Sequence, residues 1–191
     1  MGIEEGYLGI SAGYNFLSDY DFQSSGATAA RKEISFDNSP SVSFRLGMPF
    51  QDGWRGELGL GYQNYDIDDI SSTTGESGDV NLYEITLNFL YDFEKISGSN
   101  YDLTPFLGIG AGAVYVDADA SFTHNSSTTV ETVSASDWAP AVKVQAGLQY
   151  DISEQTDLVF NYSALIFPDD SVQIDNTMVQ HSINVGFNFS Y

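Results

Sequence analysis

Counted back from Tyr191, every second residue of "HSINVGFNFSY" is large and apolar: Tyr191, Phe189, Phe187, Val185 and Ile183. The residues between them, Ser190, Asn188, Gly186, Asn184 and Ser182, are small or polar. A period of two sends successive side chains to opposite faces of a strand. The same pattern recurs seven more times. "YLGISAGYNF" sets Leu8, Ile10, Ala12, Tyr14 and Phe16 against Gly9, Ser11, Gly13 and Asn15. "SVSFRLGMPF" sets Val42, Phe44, Leu46, Met48 and Phe50 against Ser43, Arg45 and Gly47. "WRGELGLGYQ" and "LYEITLNFLYDF" supply a third and a fourth. The fifth runs from Leu103 to Tyr115 with Gly108, Gly110 and Gly112 on its polar face, and the sixth from Trp138 to Tyr150. The seventh, "DLVFNYSALIF", is the least regular. No stretch has helical periodicity, so an all-β fold of eight strands is expected.

The connections alternate in length. Those after strands 2, 4 and 6 are short ("QDG", "EKISGSNYD", "SEQT"), and those after strands 1, 3, 5 and 7 are longer and rich in Ser, Thr, Asp and Asn. Antiparallel neighbours joined this way form a meander, and eight strands in that order can close into an up-and-down barrel without edges.

Alternation alone does not say which face is inside. The bulky set amounts to roughly forty side chains, whereas an eight-stranded barrel interior has little room to spare. The small and polar set fits the interior; the bulky set belongs outside. An apolar belt of that size cannot face water. It can face lipid, where a closed barrel satisfies its backbone internally. A transmembrane barrel is therefore expected, with a soluble barrel binding a small apolar ligand as the alternative. Trp54 follows a short turn and Trp138 a long connection, which places them at the two ends of the wall, where aromatic girdles meet the membrane interfaces. Tyr7 and Tyr191 are expected beside Trp54, and Tyr115 and Phe167 beside Trp138.

Composition is compatible with this picture. The chain has 191 residues and no cysteine, so it has neither disulfides nor thiolate chemistry. No apolar run reaches the length of a membrane helix. The opening "MGIEEGYLG" lacks the basic start and apolar run of a secretory signal, so for an exported protein that signal is expected to have been removed.

These features resemble the small bacterial outer-membrane barrels of the OmpA/OmpX/opacity type, through the eight alternating strands, short turns, long loops and the ending "VGFNFSY". The resemblance spans essentially the whole chain. It implies residence in the bacterial outer membrane, contact with outer-membrane lipids and a monomeric barrel. It also implies that Ile183, Val185, Phe187, Phe189 and Tyr191 are read by the barrel-assembly machinery. Unlike OmpA-like proteins, the chain stops at the barrel, so residues 1–191 are expected to form one domain with no periplasmic domain.

Charge changes the picture in two places. With 27 acidic and 6 basic residues, net −21, a nucleic-acid partner is excluded. Arg45, Arg55 and Lys143 share the inward register with Glu57 and Glu84, and buried charges need partners. An interior ion-pair network of these five is expected, as in related barrels, with at most a small conductance. Most carboxylates fall in the long connections. An anionic rim of this kind suits adhesion or interaction with an extracellular ligand or divalent cations, although a simply solvated loop surface explains it as well.

Candidate chemistry is thin. "DIDD" (Asp66, Asp68, Asp69) and "DAD" (Asp117, Asp119) lack the glycine and terminal glutamate of a calcium loop. His124, Ser126, Ser127 and Glu131 offer the groups of a hydrolase, but in a Ser/Thr-rich connection without the rigid geometry a triad needs. His181 falls on the outward face near a membrane interface. The expected function is non-enzymatic, in membrane integrity, surface adhesion or interaction, without cofactor or metal. A lipid-modifying outer-membrane enzyme is the alternative.

Overall fold

The computed structural model describes residues 6–17, 20–23, 31–35, 38–66, 69–70, 77–98, 102–123, 130–168 and 177–191. Eight long strands follow one another as an antiparallel meander. They are β1 (Tyr7–Leu17), β2 (Ser39–Pro49), β3 (Trp54–Asp66), β4 (Ser77–Asp92), β5 (Asp102–Thr123), β6 (Val130–Ser153), β7 (Thr156–Pro168) and β8 (Thr177–Ser190). Each pairs with its sequence neighbours, and β1 closes onto β8 in unbroken register from Tyr7↔Ser190 to Leu17↔Gln180. The result is a closed eight-stranded all-antiparallel barrel. Three short strands, Tyr20–Gln23, Arg31–Ser35 and Asp69–Ile70, form a separate small sheet within the long connections.

The β2–β3 turn shows how local chemistry sets the meander. "QDG" places Asp52 at φ 63° and Gly53 at φ 79°, the left-handed region that Gly, Asn and Asp tolerate best. The Phe50 N–H then donates to the Trp54 carbonyl across the turn, 2.6 Å away.

The faces are sorted as the alternation requires. Leu87 is 70% exposed, whereas Thr86 and Asn88 on either side are buried. Phe187 and Leu148 are exposed on the outer wall and Asn188 is buried. The outside of the barrel is a continuous apolar surface far larger than a water-soluble monomer carries, which removes the soluble-barrel alternative.

Small residues let the wall curve. A Cβ at Gly112 would run into the backbone of Ile85 and Thr86, and one at Gly186 into that of Ile10 and Ser11 across the closing seam. At both positions the next strand approaches too closely for any side chain.

The two girdle positions Tyr7 and Phe167 require correction: both are buried, at 7% and 4% exposed, and point into the lumen. Tyr7 lies in register with Gly9 and Ser11, so the alternation of β1 itself turns it inward. Phe167 follows Leu165 on the inner face of β7.

Three strands also outrun the sequence pattern. β5 and β6 continue past Tyr115 and Trp138, pairing as far as Thr123↔Val130, and Ser77 to Asn81 of β4 pairs with Ser121 to Asp117. This stretch is rich in Ser, Thr, Asp and Ala. The backbone ladder between these strands needs no apolar alternation, so the sequence pattern does not announce the extension.

Candidate functional site

The lumen is stratified. At the long-connection end, Tyr65, Leu82, Val114, Ala141, Leu165 and Phe167 pack into an apolar plug, with Met178 against it. At the short-turn end Leu90, Phe106 and Val159 form a smaller cluster. Between and around them lie buried polar side chains from β1 to β4 and from β6 to β8.

Of the five lumen charges, Lys143 and Glu84 form a pair of their own, and Arg45, Glu57 and Arg55 belong to a second, linked chain. Lys143 on β6 donates to Glu84 Oε1 on β4 at 2.7 Å, and Thr86 donates to the same oxygen at 2.9 Å. Arg45 on β2 lies 4.0 Å from Glu57 on β3 and donates to Asn188 Oδ1 at 3.1 Å. Arg55 pairs with neither glutamate directly. Its Nε lies 3.2 Å from Asp92 Oδ1, while its Nη1 donates to Tyr7 Oη and to Gln149 Oε1, each at 3.2 Å. Tyr7 in turn donates to Glu57 at 2.8 Å, so the phenol relays Arg55 to Glu57. Gln149 passes the chain on to Asp157 at 2.8 Å. The guanidinium also sits 4.8 Å from the Phe106 ring centre and 5.5 Å from that of Tyr7, within cation–π range.

Three cations thus meet three carboxylates, counting Asp92. The sequence signal for Asp92 was its even-numbered place on β4, in phase with Glu84 and Asn88. Tyr7, Gln149 and Asp157 are likewise polar groups on inward positions, and alternation could have found them.

Near the middle, a cavity of about 30 Å³ is lined by Ser11, Ser43, Gly59, Glu84 and Lys143 among others. That is room for one or two waters. Asn15, Asn88, Gln145 and Asn161 reach it, each with one amide atom that no protein group satisfies.

On the outer wall, Ile183, Val185, Phe187, Phe189 and Tyr191 form one exposed row along β8. Trp54 and Trp138, both exposed, stand at opposite ends. Trp54 stacks on Phe89 (4.7 Å) and Trp138 packs on Tyr115 (5.1 Å). His181 Nδ1 shares a 2.7 Å hydrogen bond with the Tyr162 hydroxyl on the same wall. In the β4–β5 turn Lys95 is clamped between Asp151 and Asp102, and the hydrogen bond to Asp151 holds its pKa above the ordinary lysine value.

Residues 124–129, with His124, Ser126 and Ser127, lie outside the described residues, as does the side chain of Glu131. Asp68 of "DIDD" also lies outside them. Among the described residues no three His, Asp or Glu side chains converge as a metal site.

A closed barrel with an apolar outer wall and a filled, internally paired lumen is an integral membrane barrel. The chain belongs to the outer membrane protein beta-barrel domain family, whose profile matches residues 2–190, and it is a protein of the bacterial outer membrane. No protein with a curated description matches it in sequence. Among solved structures it is similar to Neisserial surface protein A (18% identity, 97% of each chain covered, TM-score 0.56). It is also similar to OprG of Pseudomonas aeruginosa (18% identity, 100% of this chain and 98% of that one, TM-score 0.52). Ail, the attachment invasion locus protein of Yersinia pestis, is a third (15% identity, 98% and 99%, TM-score 0.50). At these identities the likeness is one of fold.

Proposed function

We propose that this barrel is a sealed, non-enzymatic outer-membrane scaffold. Its work is done at the surface, through its anionic outer connections, in membrane integrity, adhesion or interaction. The observation that carries the reading is the stratified lumen: an apolar plug at one end, paired charges below it, and a central cavity of only about 30 Å³. Ions crossing it would have to displace Phe167 and Leu165 and then separate Lys143 from Glu84. Charges buried in this way are costly to unpair, so the path is closed at two levels. Asp117, Asp119 and Asp137 on the β5–β6 ribbon support the reading of an acidic outer surface.

Conductance tests this directly. In planar bilayers the purified barrel is expected to give no steady ion current, and liposomes carrying it should not swell in sugar solutions. A stable open state in the wild-type protein would overturn the sealed reading and point to a pore.

A further inference from the structure

The lipid-facing wall is not uniform. On its lower half, towards the short turns, an apolar groove of about 680 Å³ is cut into the outside of β3 to β7. One bank is a continuous aromatic ridge: Trp54 stacks on Phe89 and packs on Tyr91, and Tyr91 packs edge-on to Phe93 at 5.2 Å. Tyr162 forms the opposite bank. The floor is low because Ala146, paired with Leu107 and Tyr162 on the neighbouring strands, offers only a methyl group.

We propose that this groove seats an acyl chain of one phospholipid whose headgroup carries a primary ammonium. The walls are almost wholly hydrocarbon, and they lie within the membrane-facing surface, so the occupant of the groove itself is an apolar chain. The headgroup is chosen by what lies beneath. Glu94, next to Phe93 of the groove wall, and Asp102 and Asp151 at the strand ends edge the short-turn end below the groove, against the ammonium of Lys95, which Asp151 and Asp102 already hold. A headgroup with a net negative charge meets a surplus of carboxylates there. A zwitterionic one can lay its phosphate towards Lys95 and donate its ammonium to the exposed Glu94. A second copy of the chain fits poorly. Two concave faces brought together leave a void, and two acidic rims would repel each other. The proposal rests on the barrel's place in the membrane and not on the sealed lumen, so a conducting barrel would leave it standing.

Trp54 lies in the groove wall and reports on it. The Trp138→Phe protein, with Trp54 as its single tryptophan, is placed in phosphatidylcholine vesicles. These carry a minor fraction of phosphatidylethanolamine or phosphatidylglycerol brominated near the head of the acyl chain. Brominated phosphatidylethanolamine should quench Trp54 beyond its bulk share and about threefold more effectively than phosphatidylglycerol, the scale of a partly exposed ion pair. Ala146→Phe, which fills the floor, should return both to bulk quenching. Glu94→Lys, at an exposed turn position away from the lumen, should reverse the order of the two lipids, and it tests the headgroup even if Ala146→Phe does not fold. Equal quenching by the two lipids, a preference that survives Ala146→Phe, or one unmoved by Glu94→Lys would overturn the assignment.

Discussion

Leu87→Arg is expected to cost about 2–4 kcal/mol of stability in a lipid bilayer, the range for a cation at the midplane of a barrel wall. Leu87 stands four residues from Tyr83 towards the long connections and four from Tyr91 towards the short turns, and its side chain is 70% exposed to the outside. An arginine there can reach neither interface without bending or thinning the bilayer. Leu148, by contrast, sits on the same outer surface only two residues from the end girdle at Tyr150, opposite Pro105 and Phe160. Leu148→Arg should cost only about 0–1 kcal/mol, because the charge can snorkel. Equilibrium unfolding from vesicles reads both. Equal costs at the two depths would contradict the membrane placement.

Lys143→Met is the second large effect. It removes the 2.7 Å partner of Glu84 and leaves a carboxylate buried among Thr86, Asn88 and Gln145. Breaking a buried pair from one side costs about 3–5 kcal/mol. The neighbouring cavity can admit water to the orphaned group, so the low end, about 3 kcal/mol, is expected. The double variant Lys143→Met, Glu84→Gln removes both charges together and should recover most of the loss. A double-mutant cycle by urea titration separates the terms. Additive losses would mean that the two groups do not stabilise each other in the folded barrel.

How much of this could be read from the chain follows from where alternation holds. Strands β1 to β4, β6 and β8 are legible because one face meets lipid and the other a crowded polar interior. β7 is the least regular for a physical reason: Val159 joins the lower apolar cluster, and Leu165 and Phe167 the upper plug. Its two faces are therefore both apolar along much of its length. Leu82, Leu90 and Val114 do the same at single positions. The plugs are thus the part of the lumen that a rule of apolar-out, polar-in cannot reveal. Tyr7 illustrates the opposite case. Its place in the β1 register already turned it inward, and only its nearness to the strand end suggested a girdle. The pairing of Arg55 with Asp92 rather than with a glutamate depends on the stagger between β3 and β4, which sets Arg55 opposite Leu90. No spacing within one strand records that stagger.

The claim on which everything depends is that bulky residues face lipid and small or polar ones fill the lumen. The chain has no cysteine, so single cysteines can be introduced along β8 and spin-labelled without background. Collision with dissolved oxygen, which partitions into the membrane, should be high for labels at Ile183, Val185, Phe187 and Phe189 and low at Ser182, Asn184 and Asn188. The opposite phase, or no alternation along the strand, would contradict it.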